Sequence, residues 1–445
     1  MIRSARVKLG LQFVLEALYS AYMLDIKRLR DEPDVIKERL QTRSADSTIV
    51  DEILELDQDR RKKISRVEEL KAERNTISKE VGARKSKGES ADDLLSGMKE
   101  KSDLITQLDQ EANEVDAKQK ALLLTIPNPP HPDCPIGATA DENPEVSRWG
   151  DKKDFSFQAK DHVALCETHQ LVDFEAAAKI SGSGYAVYKG AGAKLERALI
   201  QFLLDLHTGD HGYTELSPPF LIREECMVGT GQLPKFREDM YGLDGDQAFL
   251  APTAEVPVTN LHREEMLKSD DLPIQYAAYT PCFRREAGSA GKETKGLTRM
   301  HQFDKVELVQ IVHPSQSYEV LENIRTHAQT VLEKLGLHYR TIELCTGDLG
   351  FGAAKCYDIE VWAPGAESYL EVSSCSNFLD FQARRMNLRF KGVTPEEKKP
   401  QFCHTLNGSG TALPRLFIAL IETYQQEDGS ILIPDALQPY FHADR

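Results

Sequence analysis

The sequence predicts an α+β chain in which a long antiparallel pair of helices precedes a domain of mixed helix and strand that contains an antiparallel strand hairpin. Three observations carry that expectation. Apolar residues keep a 3–4 spacing as far as Leu122, five prolines interrupt the chain between Thr125 and Pro135, and two strand-like stretches, 275–283 and 300–312, flank a loop containing Gly288, Gly291 and Gly296. At 445 residues the chain is long enough for two or three domains.

The helical part comes first. Ile53, Leu56, Ile64, Val67, Leu70, Ile77 and Val81 follow one seam, with Arg60 and Arg74 also at seam positions. After the polar break KSKGESADD a second seam runs through Leu94, Met98, Lys101, Ile105, Leu108, Ala112, Val115, Gln119 and Leu122. The short link around Gly88 folds the two runs back on each other, as helices of roughly 45 Å if each holds about 30 residues. From Arg60 to Lys87 eleven basic residues stand against four acidic ones, a net +7, whereas Glu89 to Lys120 has four against nine, a net −5. Opposite charge helps the arms pair, and the basic excess suits a phosphate backbone gripped by charge and shape. TIPNPPHPDCP, Thr125 to Pro135, cannot continue a helix and marks a boundary.

Composition narrows the class. With 40% hydrophobic and 28% charged residues the chain reads as soluble and globular, and its charge of −16 argues against a uniformly basic surface without excluding a local basic strip. The eight cysteines form no CxxC pair or zinc-ligand spacing, so free buried thiols in a reducing cytoplasm and no structural zinc are expected. No apolar run is long enough to span a membrane. Residues 1–22 put Arg3, Arg6 and Lys8 ahead of an apolar segment broken by Gln12 and Glu16, a poor secretory signal.

The chemistry gathers in the second part. Lys194 to Thr208 has helical spacing and leads to a strand ending at Pro218 and Pro219. In FRREAGS, Phe283 to Ser289, Arg284 and Glu286 share a side, opposite Phe303, Lys305 and Glu307 on the returning strand. A ring, a guanidinium and carboxylate acceptors on one sheet suit a nucleotide. YLEVSSCSN, Tyr369 to Asn377, places Glu371 and Ser373 on one strand face with Ser374 nearby, oxygen donors of the kind magnesium takes beside a triphosphate. HTLNGSG reads as a glycine-containing turn into an amphipathic helix carrying Arg415 near its start, where the helix terminus already favours phosphate. Neither GxxxxGK[ST] nor a strand followed by GxGxxG occurs, which removes the main support for parallel-sheet nucleotide folds.

TAEVP (Thr253 to Pro257), FRREAGS, RMHQFDKVEL, EVSSCSN and LNGSG occur in an order and spacing that resemble a seryl-tRNA synthetase of the bacterial type, a class II aminoacyl-tRNA synthetase. The resemblance runs from MLDIKRLRDEPD at Met23 to the C-terminus, which leaves residues 1–22 as an extension or upstream sequence. It implies an N-terminal tRNA-binding domain over 23–125 with a coiled-coil arm, a proline-rich linker over 126–136, and a class II catalytic domain over 137–445 whose antiparallel sheet is flanked by helices. It further implies a cytoplasmic homodimer, joined through the Lys194–Pro219 region, that takes ATP with Mg2+, L-serine and tRNA-Ser, with tRNA-Sec a further candidate.

Residue roles carried over are these. Arg284 would bridge the serine carboxylate and the α-phosphate, Glu286 would accept from the adenine amino group, and Phe303 would stack on the ring. Arg415 would hold the γ-phosphate end and cover the other adenine face, and Glu371 and Ser374 would bind magnesium. Arg285, Met300, Val372 and Ser373 would complete the ATP site. Thr253 and Glu255, with Ala254 between them, would hold the serine ammonium group, while Glu307 and Ser409 would recognise its hydroxyl. The chain departs from many relatives in having TALPR, Thr411 to Arg415, where they have LAVGR, and a proline is tolerated in a first helical turn. Two other readings share the sequence features: a ligase of the same core that charges a carrier protein, and a coiled-coil scaffold with a decayed catalytic domain. Filled polar positions argue against decay.

Overall fold

The structure, a computed structural model, describes residues 24–243, 245, 247–286, 296–392, 394 and 398–444. The expected extension, residues 1–22, and residues 287–295 of the expected loop lie outside them. The chain divides into two compact units, one reaching to Pro127 and the other made of Thr42–Ser44 and the residues from Asn128 onward.

In the first unit, α1 (Ile49–Ser86) and α2 (Asp92–Leu123) form the antiparallel pair. At 38 residues α1 extends to about 57 Å. It exceeds the length expected from the seam because its first turns serve another contact: Val50 and Ile53 pack with Leu29, Ile36 and Leu40 of two short preceding helices and with Leu123 and Ile126. Further along, Val67 and Leu70 bury against Ile105. Ile64 departs from the expected seam and is 38% exposed, while Lys63 reaches Glu111 of α2 at 3.5 Å. Charge complementarity is realised between the arms in Arg60–Asp116 at 3.7 Å, Lys71–Asp109 at 3.3 Å, Arg84–Asp93 at 3.2 Å and the Lys101–Glu73 pair. Arg61, Lys62, Lys79, Lys85 and Lys87 remain exposed with no ion-pair partner among the described residues.

The second unit is built on an eight-stranded sheet. In chain order its strands are β1 (Glu145–Trp149), β2 (Thr214–Leu216), β3 (Ile274–Phe283), β4 (Gln302–Val312), β5 (Tyr339–Glu343), β6 (Lys355–Ala363), β7 (Ser368–Leu379) and β8 (His404–Ala412). Their spatial order is β1-β5-β6-β7-β8-β4-β3-β2, and every neighbouring pair is antiparallel except β2 with β3. Helices α4 (Ala191–Asp205), α5 (Ser317–Lys334) and α6 (Leu413–Tyr424), numbered after the short α3 (His162–His169), contribute apolar stripes to one core. Leu199, Ile324 and Phe417 from these helices meet Val306, Cys375 and Leu406 from the sheet. Burying such side chains is the main favourable term in holding the layers together.

The expectation of a turn at LNGSG is overturned. Those residues lie inside β8, between β7 and β4. Gly408 belongs there because α5 passes so close that a Cβ would stand 2.3 Å from Ile324 Cγ2. Pro414 falls in the first turn of α6, where its missing N–H costs no helical hydrogen bond. Seven of the eight cysteines are buried, and all are unpaired.

One buried charge organises the base of the helical unit. Asp57 is 2% exposed and lies 3.3 Å from Arg30 and 3.7 Å from Arg60. Removing one partner of such a group leaves the others uncompensated. Asp57→Ala is expected to lower stability by about 1–3 kcal/mol, read as a reduced urea midpoint in the intact protein, with Asp57→Asn in between. An unchanged midpoint for both variants would show that this carboxylate contributes nothing.

Candidate active site

On the sheet face turned away from the helical core, β4, β7 and β8 line a cavity of about 480 Å³. Alternation along a strand would aim every second side chain into it, and two one-residue bulges modify that pattern. In β7, Ser373 pairs with Ile359 and Glu371 with Glu360, so Val372 is an extra residue. In β8, Thr411 pairs with Val306 and Ser409 with Glu307, so Gly410 is extra. The first bulge puts Glu371 on the same wall as Ser374 and Ser376. It also corrects the expectation that Glu371 and Ser373 share a face: the Ser373 side chain points away from the cavity and its hydroxyl donates to the Ser409 carbonyl at 2.6 Å. Val372 and Met300 line the cavity as expected.

A cationic half surrounds the cavity's outer part. Beyond β3, the Arg284 N–H donates to the His301 carbonyl at 2.9 Å and its Nε donates to the Pro252 carbonyl at 3.3 Å. This fixes the guanidinium 5.2 Å from the Phe303 ring centroid. Glu286 adopts a φ of +50° and its carboxylate pairs with Arg299. Arg415, in the first turn of α6, donates from Nη1 to the Glu371 carbonyl at 2.8 Å and from Nε to the Thr298 carbonyl at 3.3 Å. Three guanidinium groups and a helix N-terminus thus face one space, an arrangement that attracts phosphate. Arg285 does not join them. Its side chain turns outward, 5.1 Å over the Tyr241 ring, because its backbone N–H is engaged by the Asp239 carbonyl at 2.9 Å on that side.

The inner half is a buried polar network. Asn407 Nδ2 donates to Glu255 at 3.1 Å and to Glu307 at 2.9 Å, Gln382 donates to Glu255 at 2.6 Å, and Thr253 donates to Glu307 at 3.3 Å. Lys305 supplies the network's ammonium group, paired with Glu307. Burial, with Glu307 as the nearest like charge, pushes the Glu255 carboxyl up from 4.5 to about 7. Glu307, fully buried, lies behind the cavity wall and is coupled to it through Thr253, Lys305 and Asn407. Ala254 is also displaced from its expected place: its methyl group packs with Val258, Ala278 and Val309, since only Thr253 and Glu255 of that stretch reach the cavity.

The geometry therefore gathers Thr253, Glu255, Arg284, Glu286, Met300, Phe303, Glu371, Val372, Ser374, Ser409 and Arg415 around one cavity, places Glu307 behind its wall, and leaves out the side chains of Arg285, Ser373 and Ala254. It adds Arg299, Lys305, Gln382 and Asn407, to which the sequence reading gave no role. Lys305 was visible on the Phe303 face. Gln382, from a helix beyond β7, carried no local signal.

Residues 241–424 match the family described as tRNA synthetase class II core domain (G, H, P, S and T), and residues 23–130 match the Seryl-tRNA synthetase N-terminal domain. The chain is 57% identical to the serine–tRNA ligase of Akkermansia muciniphila, over 95% of this chain and 98% of that one. It is 52% identical to that of Carboxydothermus hydrogenoformans, over 95% and 99%. Among solved structures it resembles the seryl-tRNA synthetase of Pyrococcus horikoshii complexed with ATP, with a TM-score of 0.90 and 38% identity over 95% of this chain and 98% of that one. The cytoplasmic serine–tRNA ligase of Naegleria fowleri in complex with AMP gives a TM-score of 0.85 at 27% identity, over 95% and 98%. Identity at this level along nearly the whole length, with both domain families matched in order, places the chain in the seryl-tRNA synthetase family.

Proposed function

We propose that the protein is a serine–tRNA ligase: it activates L-serine with ATP to seryl-adenylate and transfers the seryl group to the 3′-terminal adenosine of tRNA-Ser. One observation carries the choice of amino-acid substrate. Two buried carboxylates, Glu255 and Glu307, stand near one ammonium group, that of Lys305, which is paired with Glu307, at the inner end of a cavity whose outer end is rich in arginine. Such a network lacks one positive charge, and a substrate ammonium group supplies it.

The serine carboxylate is a nucleophile at neutral pH, so the first step needs alignment and charge stabilisation rather than a base. Arg284 is placed to hold that carboxylate against the α-phosphate, with Phe303 and Arg415 on either side of the adenine and Glu286, steadied by Arg299, accepting from its amino group. Thr253 and Glu255 hold the ammonium group, and Ser409 and Glu307 take the hydroxyl. Alanine would offer Ser409 no hydroxyl partner, and a site built to bind a hydroxyl can reject the analogue lacking it by about 10⁴–10⁵ in rate. Glu371 and Ser374 offer oxygen donors on one wall, beside the half-buried Asp358 carboxyl, which would suit Mg2+ held with phosphate and water. When bound, that ion neutralises charge on the departing pyrophosphate.

In this reading residues 23–125 form the tRNA-binding domain, 126–136 the linker and 137–445 the catalytic domain. The exposed basic residues of α1 face the tRNA, and α4 with β2 joins two copies. No helix among the described residues is long and apolar enough to cross a membrane, which fits a cytoplasmic enzyme.

Arg284→Ala is expected to abolish serine-dependent ATP–pyrophosphate exchange. Deleting residues 47–120 should leave exchange largely intact and remove charging of tRNA-Ser transcript, whereas a carrier-protein ligase would lose neither activity toward its own acceptor. Retained tRNA charging after the deletion would refute the role given to the arm.

The pH dependence has a definite sign. Glu255 attracts the substrate ammonium group only when ionised, and its carboxyl titrates at about 7 in the empty site. Below that value serine must expel a proton to bind, so its KM in the exchange assay should rise about tenfold per pH unit as pH falls. Glu255→Gln should bind serine weakly with a flat profile. A wild-type KM that does not change from about pH 7.5 down to about pH 6 would remove Glu255 from the ammonium site.

A further inference from the structure

We propose that His162 is a positioning residue for the nucleotide: it ties the cavity-lining stretch Leu297–Met300 to the core of α6 through a hydrogen-bonded line from Glu422 to His162 to Leu297. The inference rests on the reading of the cavity as an ATP site. His162, at the start of α3, is 4% exposed and does not line the cavity. Its chemistry is nevertheless directed there.

Glu422 lies two turns after Arg415 on α6 and is fully buried. One of its oxygens accepts from the His162 backbone N–H at 2.7 Å and stands 3.2 Å from His162 Nδ1; the other accepts from the N–H groups of Gly365 at 2.9 Å and Ala366 at 3.1 Å. The carboxylate is therefore held from several sides and cannot rotate away from the imidazole. On the far side of the ring, the Leu297 N–H donates to Nε2 at 3.3 Å. A backbone N–H can only donate, so Nε2 carries the lone pair and the proton sits on Nδ1, facing Glu422. One tautomer satisfies both contacts.

The approach of the two segments needs glycine. Gly296 has a φ of +63°, and a Cβ there would stand 2.3 Å from His162 Nε2 and 2.7 Å from Val163 Cγ2. The residues that follow, Leu297, Thr298, Arg299 and Met300, all line the cavity. Thr298 accepts from Arg415, and Arg299 pairs with Glu286. Helix α6 thus grips this stretch twice, directly through Arg415 and indirectly through Glu422 and His162. The second grip holds the backbone that presents Arg299 and Met300 to the nucleotide.

The test compares wild type with His162→Ala, His162→Asn, His162→Gln and Gly296→Ala in serine-dependent ATP–pyrophosphate exchange. Asn reproduces the δ position only, whereas the Gln amide oxygen reaches the ε position and can accept from Leu297. His162→Ala, His162→Asn and Gly296→Ala should each raise KM for ATP about tenfold, with kcat and the KM for serine within about twofold of wild type, because one ground-state binding element has been loosened. His162→Gln should restore most of the ATP affinity. Lower kcat at unchanged KM for ATP in the first three, or no advantage of Gln over Asn, would reduce His162 to a packing residue and overturn the inference. Wild-type enzyme without exchange would refute the ligase reading instead. Calorimetric affinity for a non-hydrolysable ATP analogue then tests His162 independently, with the same order of variants expected. Gly296→Ala leaves the Glu422 contacts in place, so it tests the line even if His162→Ala does not fold.

Discussion

An extra residue in each of two neighbouring strands sets where the polar groups of the cavity point. Val372 in β7 brings Glu371 round to the wall that Ser374 and Ser376 occupy, and Gly410 in β8 keeps Ser409 and Asn407 on the cavity side while the chain turns into α6. Without the first, strict alternation would aim Glu371 at the apolar layer under the helices, where an unpaired carboxylate is costly. Bulges beside functional sites re-aim side chains in this way. Here they sit on strands fixed by partners on both sides, so the geometry they set is rigid.

Charge is partitioned along the cavity. The outer end holds Arg284, Arg299 and Arg415 with the N-terminus of α6, and the inner end holds two carboxylates about one lysine. A ligand with an anionic end and an ammonium end is oriented by that field before any specific contact forms. Buried charge is tolerated because each oxygen already has donors: Asn407, Gln382, Thr253 and Lys305 engage Glu255 and Glu307 in the absence of ligand. The arm follows the same economy in part: Arg60, Lys71 and Arg84 meet carboxylates of the opposite helix, while five basic residues of α1 stay exposed with no ion-pair partner among the described residues.

How far the sequence could be read depended on the range of the interaction. Arg284, Glu286 and Phe303 stood out because each lies in a short stretch whose chemistry is unusual for a surface hairpin, whereas Glu255 was legible only through the family resemblance carried by TAEVP. The helix pair was legible as well, since a seam repeats many times and a single exception such as Ile64 does not hide it. Ser373, Arg285 and Ala254 are sequence neighbours of cavity residues whose side chains the local backbone turns away, and for Ser373 strand alternation counted without the bulge gives the wrong face. LNGSG looked like a turn because glycine usually marks one, whereas Gly408 answers to Ile324 on a helix more than eighty residues earlier.

By itself the sequence determined the two-part organisation, the antiparallel helices, the strand pair around FRREAGS and the kinds of side chain available to a nucleotide. Periodicity and local composition are properties of neighbours in the chain, so they need no fold to be seen. Only the tertiary structure decided which of those side chains meet, that Asn407 bridges Glu255 and Glu307, and that His162 reaches Leu297 across the core. Those outcomes depend on strand registers and on close approaches between segments one hundred residues or more apart, where distance in space is independent of distance along the chain.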